Sequence, residues 1–200
     1  MTITPTEPVA VAQRTFRTLL TAMANPGSVH FLSPRPGESP EESVAFALVD
    51  HEVAFAVVGE SRVTGAVPVA RRITVRTGSS EVAVPEAAFI FAYGALPKAA
   101  WATVRCGTLA YPDQGATILY RLPAIGVRAA LSKPVRLRLS GPGIEHDVWL
   151  SLAGLPAGEF AARNAACRDY PMGIDCIFVD SAGQVACVPR SSTIETVEEG

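Results

Sequence analysis

The chain has 200 residues, 17 basic and 19 acidic, for a net charge of −2, and 48% of them are apolar. A chain of this length buries about 70% of its unfolded surface, enough for a core without disulfides or a structural metal, and so apolar a composition excludes disorder for the whole. A nucleic-acid binder carries a clustered basic stripe, whereas Arg71-Arg72 and Arg136 with Arg138 are short and isolated.

Residues 1–8 are expected to form a flexible N-terminal arm. From Val9 to Met23 the pattern is helical, with Phe16, Leu19, Leu20 and Met23 at i, i+3, i+4 and i+7 as the apolar face. Asn25-Pro26-Gly27 ends that helix, and a short strand over Val29–Leu32 follows. Ser39-Pro40-Glu41-Glu42 predicts a helix start, with Ser39 as N-cap, Pro40 in the first turn and Glu42 closing a capping box, and the helix runs to Val49. Val53–Val58 and Ala88–Tyr93 are continuous apolar runs, the mark of strands buried on both faces. Between them, Arg62–Ala70 reads as a poor helix interrupted by Gly65 and Pro68, and Ile73–Arg76 as a strand.

Pro97–Arg105 predicts a helix, and Thr117–Leu122 and Val135–Leu139 predict strands, the second alternating Val135, Leu137 and Leu139 with Arg136 and Arg138. Gly141-Pro142-Gly143 turns the chain before an extended His146–Leu150. Pro156–Arg168 is an alanine-rich helix, and Ile174–Val179 with Val185–Val188 forms a hairpin. If its loop is Asp180 to Gly183, Cys176 faces Cys187; a slip of one residue separates them. The chain after Ile194 is expected to fray. The expectation is one mixed α/β domain over residues 9–195, a mixed sheet flanked by helices, with an acidic tail at 196–200.

The longest apolar run, Ala87–Leu96, has ten residues against the roughly 20 of a spanning helix. The first eight residues hold Glu7, two prolines and no basic segment, so they are not expected to be a secretory signal. Cys106, Cys167, Cys176 and Cys187 form no Cys-x-x-Cys pair, and a cytoplasmic location with reduced thiols is expected. Charged residues are only 18%, below the usual share of about 25%, which suggests that part of the surface is covered by a partner.

Chemistry-bearing motifs are sparse. No Gly-x-Gly-x-x-Gly or Gly-Lys-Ser/Thr loop is present, and Gly141-x-Gly143 lacks the third glycine and a following helix. The histidines are far apart; Asp50-His51-Glu52 reads as a solvated corner rather than a metal site. Arg168 beside Cys167 favours its thiolate, yet Ala165-Ala166-Cys167 also suits a small core residue. Only Lys98 and Lys133 are available for a Schiff base, and both read as exposed edge positions. Asp175 stands out in an apolar strand, either bonded to backbone near Gly173 or poised for a ligand or partner. Arg190 and Ser191, in Pro189-Arg190-Ser191-Ser192-Thr193, offer a guanidinium and hydroxyls suited to a phosphate or carboxylate, and Arg17, on the polar face beside an expectedly buried Phe16, is similar. These four are ligand- or partner-contact candidates; no residue is a catalytic candidate.

The segment from Phe16-Arg17-Thr18-Leu19 to Asn25-Pro26-Gly27 resembles the opening signature of the PhnH family, a subunit of the bacterial carbon–phosphorus lyase system. The likeness continues at Gly115–Leu119, Leu139–Ile144, Tyr170–Asp175 and Val188–Ser192, in family order over nearly the whole chain. It departs at Cys176, where aliphatics are common, at Ser191-Ser192, where threonines are familiar, and in the acidic tail. The resemblance implies a fold similar to the large domain of pyridoxal-phosphate-dependent transferases without the cofactor lysine. It also implies a homodimer that joins PhnG, PhnI and PhnJ in a core complex attaching the ribose triphosphate of ATP to an alkylphosphonate. No cofactor is expected on this chain; an iron–sulfur cluster and S-adenosylmethionine are expected on PhnJ, which cleaves the carbon–phosphorus bond. The expected function is therefore that of a structural or co-catalytic subunit. The alternatives are a stand-alone enzyme on a pyridoxal-phosphate scaffold, needing Lys98 or Lys133, and a small phosphonate- or nucleotide-binding module using Arg17, Asp175 or Arg190.

Overall fold

The helices begin and end where their terminal residues require, in a computed structural model that describes residues 7–59, 68–126 and 134–197. Helix α1 (Glu7–Ala24) takes in the last two residues of the expected arm and stops ahead of Asn25-Pro26, because proline drives the preceding residue out of the α region. Helix α2 (Pro40–Leu48) opens on the capping box: the Ser39 hydroxyl accepts from the Glu42 amide at 3.4 Å, and the Glu42 carboxylate accepts from the Ser39 amide at 2.8 Å.

Helix α3 (Val69–Thr77) replaces the strand expected over Ile73–Arg76. Val69 and Ile73, one turn apart, are buried under it, while Arg72 and Arg76 reach Glu42 at 2.5 Å and Glu38 at 3.8 Å on and just before α2. Burial at helical spacing and these ion pairs outweigh the strand preference of Ile-Thr-Val, which is weak and context-dependent. Most of the helix expected over Arg62–Ala70 lies outside the described residues. Helix α4 (Lys98–Trp101) is shorter than expected, and α5 (Ala157–Ala166) fills the alanine-rich segment. No helix among the described residues is long and apolar enough to cross a membrane.

The described strands form two sheets. Strands β1 (His30–Phe31), β2 (Phe55–Val58), β3 (Phe89–Ala92), β4 (Thr117–Leu122), β8 (Asp175–Asp180) and β9 (Gln184–Val188) make a mixed sheet in the order β1-β9-β8-β4-β3-β2. Strands β2, β3, β4 and β8 are parallel, and β9 and β1 add antiparallel at one edge. Strands β5 (Ile125–Gly126), β6 (Val135–Ser140), β7 (Val148–Leu152) and β10 (Thr193–Val197) form an antiparallel sheet in the order β10-β6-β7-β5. Residues 195–197 thus pair with β6 rather than fraying, continuing a ladder in which buried Ile194 stands opposite buried Leu139, while the rest of the expected tail lies outside the described residues.

Side-chain alternation divides the core in two. Phe55, Phe91, Leu119, Ile177, Val179, Val185 and Cys187 point to the face covered by α1, α2 and α3. Ile90, Ile118, Tyr120, Cys176, Phe178 and Val188 point the other way, onto Leu137, Leu139, Leu150 and Leu152 of the second sheet and Phe160 of α5. Tyr120 stacks on Phe178 at 5.5 Å. Each large apolar side chain fully buried here contributes about 1.5–3 kcal/mol. The result is a mixed α/β domain with helices on one face of the mixed sheet and the antiparallel sheet with α5 on the other. The β8–β9 hairpin turns through Ser181–Gly183, three residues rather than four, so Ile177 opposes Cys187 and Cys176 opposes Val188. The two thiols lie in different core layers.

Two expectations about α1 fail. Leu19 is buried, but so are Val11, Thr15 and Ala22, whereas Phe16 and Leu20 are exposed. Small side chains face inward because α2 approaches closely, with Thr15 Oγ1 and Ser43 Oγ 3.0 Å apart.

Candidate functional site

Strand β8 begins at Asp175, and β9 ends two residues before Arg190, so their register brings the two side chains together at the amino end of the parallel strands. Arg190 Nη2 donates to Asp175 Oδ2 at 2.6 Å, and Nε lies 3.1 Å from Oδ2 and 3.3 Å from Oδ1. The Arg190 amide donates to Oδ1 at 2.7 Å, and Nη1 donates to the Pro112 carbonyl. Burial works against the charge on Arg190, and the Asp175 carboxylate overcomes it, raising the guanidinium pKa above its ordinary value. Burial also pushes the nearby Cys106 thiol up, Cys167 adds to this, and Arg190 offsets it in part.

Asp175 is therefore bonded to the Arg190 side chain and also to backbone beside Gly173, the amide of Arg190 itself. This carboxylate already accepts from side chain and backbone, and the pair acts as a clasp that ties the chain after β9 to the start of β8. Ser191 follows the clasp, with its carbonyl against Gly141. Arg163 of α5, 2% exposed, was not anticipated. Its Nη1 and Nη2 donate to the Ser192 and Pro189 carbonyls at 2.6 and 2.5 Å, and Asn164 Nδ2 donates to the Ile194 carbonyl at 2.6 Å.

Two further polar groups lie near the carboxyl ends of the parallel strands, where α/β sheets commonly bind ligands. Arg121 of β4 meets Glu41 at 3.2 Å, and the Tyr93 hydroxyl donates to Glu41 Oε1 at 3.4 Å. Burial, followed by the charges of Glu41 and Glu42, pushes the Tyr93 phenol well up, with Arg121 opposing, so it stays protonated. On the opposite face Glu159 accepts from Tyr120 Oη at 2.7 Å and from the Leu96 amide at 3.0 Å. The available signal was the lone charge of Arg121 within the apolar run Ile118–Leu122, of the same kind that marked Asp175.

Arg17 is remote from the clasp. It lines a cleft of about 330 Å³ with Arg14, Thr15, Thr18, Thr21, His30, Phe31 and Ser33. Thr18 and Thr21 give their hydroxyl hydrogens to the carbonyls of Arg14 and Arg17, each at 3.0 Å. Ser28 Oγ donates to the Asn25 carbonyl at 2.6 Å and lies 2.7 Å from His30 Nε2. Neither Arg14 nor Arg17 has an ion-pair partner among the described residues. With two guanidiniums and no carboxylate in its lining, the cleft suits an oxyanion.

Lys98 is exposed, and Lys133 lies outside the described residues. His51 and Glu52 sit 3.9 Å apart, both exposed, and no group of three metal-ligating side chains occurs among the described residues.

A family model described as bacterial phosphonate metabolism protein (PhnH) matches residues 5–195. HtxG of Stutzerimonas stutzeri, provisionally described as a C-P lyase subunit protein, is 35% identical over 182 residues, covering 91% of this chain and 85% of its own. The PhnH subunit of alpha-D-ribose 1-methylphosphonate 5-triphosphate synthase from Rhizobium meliloti (strain 1021) is 28% identical over 201 aligned residues, covering 94% of this chain and 92% of its own.

Proposed function

The chain belongs to the PhnH family of bacterial phosphonate metabolism proteins, and on that membership we propose that it is a structural or co-catalytic subunit of a carbon–phosphorus lyase core complex. It acts with its partner subunits in forming alkylphosphonate ribose triphosphate from ATP and an alkylphosphonate. The observation that carries this reading is the match along nearly the whole chain to a family whose relatives are named as subunits. The site geometry supports it: Asp175, Arg121 and Glu159 are held by neighbouring groups in structural roles. In this reading the chain is cytoplasmic, forms a homodimer and joins PhnG, PhnI and PhnJ, with the iron–sulfur cluster and S-adenosylmethionine on PhnJ and no cofactor on this chain.

Its scaffold is related to the large domain of pyridoxal-phosphate-dependent transferases, with the cofactor lysine lost. The four parallel strands with an antiparallel edge support that reading. Co-expression with the other core subunits is expected to give one stable assembly on gel filtration; elution of this chain apart from them refutes the proposal. A second reading, binding of a phosphonate or nucleotide, draws on the cleft of Arg14 and Arg17. Calorimetry with ATP and methylphosphonate against Arg17→Ala tests it, and equal heats remove it.

A further inference from the structure

Helix α1 carries two seams. The inner one, Val11, Thr15, Leu19 and Ala22, is buried. The outer one runs through Val9, Gln13, Phe16 and Leu20 at spacings of four, three and four, which keeps side chains in line along a helix and is the spacing of helix-to-helix seams. Val9, Phe16 and Leu20 are 48%, 46% and 54% exposed. Single exposed apolar residues are ordinary; a line of them along a helix of 18 residues is an unpartnered stripe. On the side of the Arg14–Arg17 cleft the flanking charge is basic, whereas on the other side Val9 shares a cleft with Glu38 and Asp50 as well as Arg35 and Arg76. Arg17 projects between this seam and the cleft, Arg14 follows on the cleft side, and neither has an ion-pair partner among the described residues. The one acidic residue of the helix, Glu7, sits in its first turn.

We infer that the outer seam of α1 docks an amphipathic helix of another subunit, apolar along its centre and acidic on the flank that meets Arg17. This inference rests on the subunit reading above and names the surface it uses. Charge complementarity selects the occupant. A second copy of this chain laid antiparallel on the seam, Phe16 against Phe16, brings the two Arg17 guanidiniums into one neighbourhood, and like charges there oppose pairing. An acid-flanked helix instead turns Arg17 into a cross-interface ion pair and covers Phe16 and Leu20. Aromatic and arginine side chains together are the composition of interface centres.

The test is co-expression of the full chain with the other core subunits as wild type, as the double variant Phe16→Glu/Leu20→Glu, and as Arg17→Glu. All three positions are exposed and glutamate is a good helix former, so the variants are expected to melt with the wild type. The double variant is expected to bind its partners at least about tenfold more weakly, and Arg17→Glu about threefold more weakly, with the wild type's affinity falling as salt rises. Wild-type affinity in the double variant overturns the inference and leaves the subunit reading standing. So does a wild-type dimer that the double variant splits into monomers, since the seam then belongs to a second copy. A wild-type chain that fails to assemble at all refutes the subunit reading and this inference with it.

Discussion

Replacing Arg190 by alanine tests the clasp. The substitution leaves Asp175 without its two-pronged partner and the Pro112 carbonyl with the Gly115 amide alone, while the bond from the residue 190 amide remains. Removing one member of a fully buried pair costs about 3–5 kcal/mol. Here the side chains of Arg190 and Asp175 are 16% and 21% exposed, so water relieves part of that cost, leaving about 2–3 kcal/mol. For a domain of this size each kcal/mol moves Tm by about 2–4 °C, so a fall of about 4–12 °C is expected. Arg190→Lys keeps the charge but cannot reproduce the planar fork, and is expected to recover less than about half of the loss. Thermal melts and urea titrations of the isolated chain read both. A Tm for Arg190→Ala within about 1 °C of wild type contradicts the assignment of Arg190 and Asp175 as a stability element.

Three other outcomes follow from local geometry. A Cβ at Gly115 presses on the Gly173 carbonyl and sits 2.7 Å from Arg190 Nη1, whereas one at Gly158 meets nothing within 4 Å. Gly115→Ala is therefore expected to lose about 1–3 kcal/mol in urea unfolding, and Gly158→Ala to gain about 0.5 kcal/mol. Burial holds the Cys176 thiol at about 12 against an ordinary 9.0, and raises Cys187 as well. These two are expected to resist Ellman's reagent at neutral pH until the chain is unfolded. Because unfolded thiols ionise first, stability is full below about pH 9 and falls as pH rises toward 12, which alkaline urea melts measure. Ser39→Ala removes the hydroxyl half of the capping box and is expected to cost about 1 kcal/mol in the same assay.

What could be read from the sequence was local. The Ser39 cap, the buried runs that became β2 and β3, and the alternation of Leu137 and Leu139 with Arg138 each depend on neighbours within a few residues, and each stands in the structure. What depended on register or on a distant surface was not legible. Asp175 found its partner in Arg190 only because Cys176 pairs with Val188, and a hairpin one residue different puts Cys176 opposite Cys187 instead. The strand reading of Ile73–Arg76 ignored Glu42 and Glu38, which anchor Arg72 and Arg76. Of the four candidate residues, Asp175 and Arg190 meet, Ser191 only adjoins them, and Arg17 stands apart. On α1 the periodicity is real but double: large Phe16 and Leu20 face outward, while small Thr15 and Ala22 turn inward and let α2 approach. Size alone does not say which of two seams turns inward.

The chemistry belongs to the assembled complex, and this chain is one of its required parts. ATP and methylphosphonate should give no ribose-phosphonate product with the purified chain alone, none with the other core subunits from which it has been omitted, and product when the two are combined. Turnover by the chain alone, or undiminished turnover without it, contradicts the account.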